Sequence, residues 1–199
     1  MTNSPILGDL LEEYREVVRP ARGRMRGAVW LVVQLISLMR PWMWGLALGI
    51  TLGVANLVST AVAPLADDTP PMIVSLGVTI LASWVFAGFA AERRSRRFAD
   101  AIVAGVIVAV LATGIFSAAN FARKMIFLDT LQHRSDWQGL VARYHSSGAG
   151  DLRSFVISEH LQGLPGGILF SLAAGAVCGG LGGAYSMWRR EQPSRMDVT

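Results

Sequence analysis

Four long apolar runs dominate the pattern of the chain, and charged residues or prolines bound each of them. A helix needs roughly 20 apolar residues to cross the hydrocarbon core of a bilayer, which is about 30 Å thick. Four runs meet that length and predict transmembrane helices at residues 42–63, 72–91, 99–121 and 166–188. No ionisable side chain lies in the middle of any of them. The pattern predicts an all-α, polytopic membrane protein built on a four-helix bundle.

The distribution of basic residues predicts how the bundle is oriented. Six basic residues precede Pro41, four lie in 92–98 and three follow Trp188, whereas 64–71 holds none and 122–162 holds five. Cytoplasmic segments of membrane proteins carry the excess of Arg and Lys. We therefore predict a multi-pass protein of the bacterial cytoplasmic membrane, with both termini in the cytoplasm.

This organisation divides the chain into three parts. Residues 1–40 form a cytoplasmic amphipathic helix followed by a second apolar stretch, 28–39, which is too short to cross and is predicted to be interfacial. Residues 41–191 form the transmembrane domain, in which 122–162 is the only sizeable extracytoplasmic loop. Residues 192–199 are a cytoplasmic tail.

Composition narrows the class of protein further. Apolar residues make up 52% of the 199 residues and charged residues only 16%, with a mean hydropathy of +0.44. These values disfavour a soluble enzyme, a disordered tail and a disulfide scaffold. The single cysteine, Cys178, excludes an internal disulfide. Although the net charge is +4, the basic residues flank apolar runs, so the lipid bilayer is the predicted partner and nucleic acid is not.

Small residues recur every fourth position in each predicted span. Helices in lipid associate by close packing, so small residues mark helix interfaces. The first span has Gly45, Gly49 and Gly53, and the fourth has Gly167, Ser171, Gly175, Gly179 and Gly183; the second has Ser75, Thr79, Ser83 and Ala87, and the third has Ala101, Gly105, Ala109, Thr113 and Ser117. We expect these stripes to pack the spans together, while a leftover stripe could contact a partner helix or a second copy of the chain.

The amino-terminal segment has the pattern of an amphipathic helix. Ser4 and Pro5 form a good helix start, and the apolar face comprises Leu7, Leu10, Leu11, Tyr14 and Val18. Acidic residues occupy the opposite face, which an anionic leaflet would repel. We therefore predict that the apolar face docks a membrane-protein partner or packs on the protein's own cytoplasmic side.

A resemblance supports the docking interpretation. The run Leu7-Gly8-Asp9-Leu10, the segment Glu12-Glu13-Tyr14-Arg15-Glu16, then Arg22-Gly23-Arg24 and Trp30 with Gln34 resemble the prefix domain of bacterial ABC-transporter permeases of the macrolide-exporter and FtsX-like type. The resemblance implies a cytoplasmic helical module that regulates, or attaches to, such a machine. Transport activity is not implied, because the chain has neither the large extracytoplasmic domain nor room for the permease core.

Two short helices are predicted in the extracytoplasmic loop. Ser135 to Gln138 has the pattern of a capping box that opens a helix to about Tyr144. Asp151 is placed to cap a second helix that reaches about Gln162, before Gly163 and Pro165 end it.

All three histidines, His133, His145 and His160, fall in this loop. Their spacing matches no metal-ligand motif, so we predict surface histidines and no metal or cofactor, although binding of a metal, a haem or a pigment stays open. No titratable groups are expected to converge at the bilayer interface, which argues against an enzyme and against catalytic residues.

Three functions remain after these exclusions. The leading hypothesis is a non-enzymatic accessory or regulatory membrane protein that docks a partner, such as a transporter permease. A small structural subunit of a respiratory or photosynthetic complex is the second. An oligomeric transporter or channel is the third, and the apolar spans disfavour it, because ion and proton pathways usually need intramembrane ionisable residues.

Overall fold

The computed structural model describes residues 12–18, 23, 25, 27–28 and 40–191, and the chain divides into two compact units, residues 1–40 and 41–199. In the first unit, Tyr14–Val18 form one π-helical turn, which differs from the regular α-helix that the pattern predicts there. The interfacial stretch 28–39, apart from Ala28, and the tail 192–199 lie outside the described residues.

In the described part of the second unit, every secondary-structure element is a helix or a helical turn. They are α1 (Pro41–Val62), α2 (Pro70–Ser95), α3 (Phe98–Ile126), α4 (Leu128–Leu131), a short 3₁₀ turn (Ser135–Trp137), α5 (Gln138–Ser147) and α6 (Leu152–Glu191). The described part of the chain contains no strand. Four of the helices, α1, α2, α3 and α6, are long and apolar enough to cross a membrane. The prediction of an all-α bundle with four spans is confirmed.

The two ends of the bundle differ in chemistry, and we name them accordingly. The loop end carries residues 63–69 and 127–151, which connect the helices there. The arginine end carries Arg93 and Arg94 in the last turn of α2, and Arg189 and Arg190 in the last turn of α6.

Helix α3 lies at the centre of the bundle and contacts α1, α2 and α6. It packs on α1 through the three glycines of the first span. A methyl group added at Gly45, Gly49 or Gly53 would lie only 2.7–2.8 Å from the Cβ atom of Leu111, Ile115 or Ala119, respectively. Both rows advance by four residues, so one ridge of α3 fits along a glycine groove of α1.

A close contact joins α2, α3 and α6 around Gly179. A methyl group added at Gly88 of α2, or at Gly105 of α3, would lie 2.6 Å from the Cα atom of Gly179. One added at Gly175 would lie 2.6 Å from the Cβ atom of Ala109. The backbones of the three helices are therefore in direct contact, as small residues allow in lipid.

The second span uses only part of its stripe of small residues. Ala87 is buried, but Ser75 and Thr79 lie on the exposed side of α2. Their hydroxyls donate hydrogen bonds to the carbonyl oxygens of Met72 and Ser75, at 2.9 and 2.8 Å. These side chains satisfy their polar groups within their own helix and do not pack against another span.

Helix α6 is one continuous element, which corrects the prediction that Gly163 and Pro165 end a helix before the fourth span. Its 40 residues include Pro165. Proline removes one backbone hydrogen bond, but a full break beside the bilayer would leave several backbone groups unpaired. The predicted start is confirmed, because Asp151 accepts a hydrogen bond from the backbone N–H of Ser154 at 2.8 Å. At about 1.5 Å per residue, α6 spans about twice the hydrocarbon thickness.

Candidate functional site: a groove between α3 and α6

A groove of about 660 Å³ opens between the loop-end halves of α3 and α6. On α3 it extends from Val110 to Lys124, and on α6 from Glu159 to Ser171. The fifteen residues of α3 correspond to about 22 Å of helix, which is about two-thirds of the thickness of a hydrocarbon core. The groove is therefore long enough to hold an extended chain of carbon atoms.

The walls of the groove are mostly apolar, and its titratable groups gather near its mouth at the loop end. Val110, Leu164 and Ile168 are among the apolar lining residues. Lys124, Glu159 and His160 line the mouth. The structure thus brings together three titratable groups at one end of an apolar groove, contrary to the prediction that none converge at the interface.

His160 connects the two walls near the mouth. Its Nε2 atom lies 3.4 Å from the hydroxyl Oγ of Ser117 on α3, and its ring centroid lies 4.9 Å from that of Phe121. Within the described residues no carboxylate hydrogen-bonds the other ring nitrogen of His160, so the Ser117–His160 pair lacks the third group that orients a catalytic base. We interpret the contact as a polar spacer between the helices.

The charges at the mouth are not balanced. Glu159 is paired with Arg143, at 3.2 Å between Oε2 and Nη2. Arg123, next to Lys124 in the chain, is paired with Asp68 at 3.3 Å. Lys124 is partly buried and has no carboxylate within ion-pair distance among the described residues. Glu159 attracts Lys124 from beyond ion-pair distance, but it is already paired with Arg143, so the mouth keeps room for a further anion beside the ammonium.

The groove exists because α3 and α6 diverge toward the loop end. Gly175, Gly179 and Gly183 pack against α3, but a methyl group added at Gly167 would meet nothing within 4 Å. Gly167 instead lines the groove, together with Ser171 and the α3 residues Thr113 and Ser117. The expectation that Gly167 packs helices together is wrong. The rings of Phe121 and His160, tilted by 35° to each other, occupy the space between the helices at the mouth and keep α3 and α6 apart.

Five charged residues form a cluster of ion pairs at the loop end of the bundle. We call Asp67, Asp68, Arg123, Arg134 and Asp136 the loop-end cluster. Arg134 is only 1% exposed in its side chain, and it contacts Asp136 at 2.7 Å and Asp68 at 3.0 Å through Nη2. Through these ion pairs the short connection between α1 and α2 is tied to the segment that follows α3.

Hydrogen bonding shifts the acid–base behaviour of this cluster. The hydroxyl of Ser135 donates to Asp67, and this hydrogen bond lowers the pKa of the Asp67 carboxyl. Partial burial alone would raise the pKa of Asp68, but hydrogen bonds from Arg134 and Arg123 outweigh it, so the pKa of Asp68 is lowered. Both carboxylates are therefore held ionised.

The same contact corrects a prediction about Ser135. Its side chain caps no helix, since the helix-like turn there has no side-chain cap hydrogen bond. Ser135 instead donates to Asp67, and its backbone N–H donates to the same carboxylate at 3.1 Å. A long-range carboxylate thus replaces the local capping box.

The predicted docking face lies mostly outside the described residues. Leu7, Leu10 and Leu11 fall there, whereas Tyr14 and Val18 are the first and last residues of the π-helical turn. The partner-docking role of the five residues stays a prediction.

The three histidines do not come together. His133 and His145 are exposed on the loop side, and only His160 lies in the groove. Across the described ranges, no group of three or more His, Cys, Asp or Glu side chains is arranged to hold a metal ion.

Neither the groove nor the loop-end cluster was predicted from the sequence. Their residues are distant along the chain: Arg123 and Asp68 are 55 positions apart, and Ser117 and His160 are 43 apart. One signal was present, because Lys124 is the only lysine and it directly follows an apolar span.

The fold and the groove together define a structural class, namely helical proteins with four candidate membrane spans and a groove at the side of the bundle near one end. Comparison with protein-family models, with curated proteins and with solved structures finds no match for the chain. The resemblance of the amino-terminal segment to a permease prefix domain therefore stays a prediction.

Proposed function

We propose that this chain is a non-enzymatic accessory protein of a bacterial cytoplasmic membrane, and that it binds a single-chain anionic amphiphile in the groove between α3 and α6. The observation that supports this most is Lys124 at the mouth of an apolar groove, where it makes no ion pair with any of the described residues. An apolar chain would fill the groove, and its acidic head group would pair with the ammonium.

The dimensions of the groove agree with this ligand class. A volume of about 660 Å³ lies within the range of small-molecule sites, about 300–1,000 Å³. The groove is open at its side, toward the region that lipid would occupy, so the amphiphile would enter from the bilayer. With both termini in the cytoplasm, the loop end faces outward and the ligand would come from the outer leaflet.

Partner docking completes the accessory role. The apolar face of the amino-terminal segment, Leu7 to Val18, would attach the protein to a transporter permease or to another membrane protein. Ligand occupancy in the bundle and attachment at the cytoplasmic side would then belong to one regulatory protein.

The proposed binding role of the groove can be tested by a substitution whose side chain fills it. We would measure binding of a dansyl-labelled undecanoic acid to the full chain in detergent, with the methyl ester of the probe as a neutral control. Gly114 lines the groove, and a Cβ atom added there would meet nothing within 4 Å among the described residues. Gly114→Leu should therefore fold normally and weaken binding by about tenfold or more, equivalent to about 1.4 kcal/mol.

Matched variants separate the groove from the head-group contact. Gly166→Leu adds the same bulk at an open position of α6 that does not line the groove, and it should bind like the unmodified chain. Lys124→Gln should weaken binding of the acid but not of the ester, and Lys124→Arg should retain it. Unchanged binding by Gly114→Leu would refute the groove, and unchanged binding by Lys124→Gln would refute the head-group assignment.

A further inference from the structure

A second cavity, of about 290 Å³, lies at the arginine end of the bundle, away from the groove. Phe89 and Arg93 of α2 and Ser186, Arg189 and Arg190 of α6 line it. We propose that this cavity binds a phosphate group, held by the guanidinium groups of Arg93 and Arg189 and by the hydroxyl of Ser186.

Charge is the first reason. Arg190 is paired with Glu92, whose side chain is fully buried, so one positive charge is neutralised inside the protein. Arg93 and Arg189 make no ion pair with any carboxylate in the described part of the chain. Two uncompensated guanidinium groups therefore face one cavity, and planar guanidinium groups match the geometry of phosphate oxygens.

Positioning is the second reason. The guanidinium carbon of Arg93 lies 5.6 Å from the centroid of the Phe89 ring, a cation–π distance that holds the side chain beside the cavity. The pair Arg190–Glu92 fixes α6 to α2 at the other wall. Two of the arginines that line the cavity, Arg93 and Arg190, are thus held in place by contacts of their own.

The third reason, which does not depend on the arginines, is the buried hydroxyl group of Ser186. Arginines at the ends of α2 and α6 are expected from the helix dipole alone. Ser186 is different, because it is only 2% exposed and its hydroxyl Oγ is buried without a hydrogen-bond partner among the described residues. Buried hydroxyls normally have a partner. A phosphate oxygen in the cavity would accept that hydrogen bond.

The phosphate could belong to the head group of an anionic lipid or to a soluble phosphate compound, and both share the recognition chemistry. Basic pockets between transmembrane helices are a common form of head-group site on the cytoplasmic side. The predicted orientation places the arginine end on that side.

The test uses the full chain in detergent and two probes, dioctanoyl phosphatidic acid and inorganic phosphate, with dioctanoyl phosphatidylcholine as a control. We expect saturable binding of phosphatidic acid. The double variant Arg93→Gln/Arg189→Gln should weaken it by about tenfold or more. Arg94→Gln/Arg97→Gln removes the same charge at the same end without touching the cavity, and it should leave the affinity within about twofold.

Two further measurements identify the source of the phosphate and distinguish a loss of binding from a loss of folding. Displacement of phosphatidic acid by millimolar inorganic phosphate indicates a soluble ligand, and resistance to displacement indicates a lipid head group. Ser186→Ala, which removes only a hydroxyl, should weaken binding while the Tm is preserved. Equal weakening by the two double variants, or binding of phosphatidylcholine as tight as that of phosphatidic acid, would overturn the proposal.

Discussion

Helices α3 and α6 are in close contact toward the arginine end and separated toward the loop end. In the first region Gly105 and Gly179 bring backbone against backbone, whereas in the second region Gly167 has open space where a side chain would be. Both regions carry small residues at every fourth position of α6. Small residues therefore permit close contact but do not impose it.

The residues opposite the stripe account for the difference. Ala101, Gly105 and Ala109 of α3 face the closely packed glycines of α6. Farther along α3, the Phe121 ring lies against the His160 ring of α6 and fills the space between the helices. The first region has become the core of the bundle, and the second region is available for a ligand.

The largest effect is expected from breaking the closely packed region at Gly179. A methyl group there would overlap the carbonyl oxygen of Ala101 and lie 3.0 Å from the Cα atom of Gly105, and backbone atoms cannot move aside as a side chain can. Gly179→Leu should destabilise the bundle by about 3 kcal/mol or more. A thermal unfolding curve in detergent measures this.

Gly166→Leu provides the control for that prediction, since it places the same side chain on the same helix in open space. It should not destabilise the bundle, and the higher helix propensity of leucine should favour folding by up to about 1 kcal/mol. Equal Tm values for the two leucine variants would show that the contact at Gly179 is not the close packing described above.

A smaller effect is expected at the loop end, where ion pairs rather than glycines hold the elements together. Asp68→Asn removes a carboxylate that contacts both Arg123 and Arg134, and it leaves the buried Arg134 with fewer acceptors. Asp68 is itself partly exposed, so the expected loss is about 1–3 kcal/mol. Chemical unfolding in detergent gives this value, and Asp129→Asn, an exposed carboxylate outside the cluster, is the control.

The pH dependence of stability should follow from the same cluster. The pKa of Asp68 and that of Asp67 are lowered in the folded protein, so the unfolded chain binds protons more readily than the folded one as the pH falls. The stabilisation is present above about pH 4 and is lost as the pH falls through the lowered pKa values. The Tm of Asp68→Asn should therefore depend less on pH in this range, and an unchanged slope would remove Asp68 from the explanation.

The comparison also shows which features sequence reasoning can reach. Four spans follow from local hydropathy, because each helix must satisfy its own backbone and cover the bilayer. The contact of Gly45, Gly49 and Gly53 with α3 matches a local stripe. The groove depends on where two helices diverge, and the loop-end cluster depends on pairing Asp68 with Arg134, so neither has a local signature.

Pro165 shows a second limit of local sequence patterns, because here the pattern predicts a helix end that the structure does not have. Locally, Gly163 and Pro165 predict the end of a helix, yet α6 continues through both residues. A membrane helix tolerates proline where the alternative is a run of unpaired backbone groups. The local propensity was interpreted correctly, but the surroundings of the helix decided the outcome.

The smallest expected effect is also the sharpest test of the two regions, because it compares one substitution at two positions of one stripe. Gly167→Ala adds a methyl group in open space, and replacing glycine by alanine within a helix favours folding by about 0.5–1 kcal/mol. Gly175→Ala places the same methyl group 2.6 Å from the Cβ atom of Ala109 and should destabilise the bundle. Opposite signs of the change in the free energy of unfolding are therefore expected. If both variants were stabilised, α3 and α6 would be loosely packed along their whole length, and the groove would not be a distinct feature of the loop end.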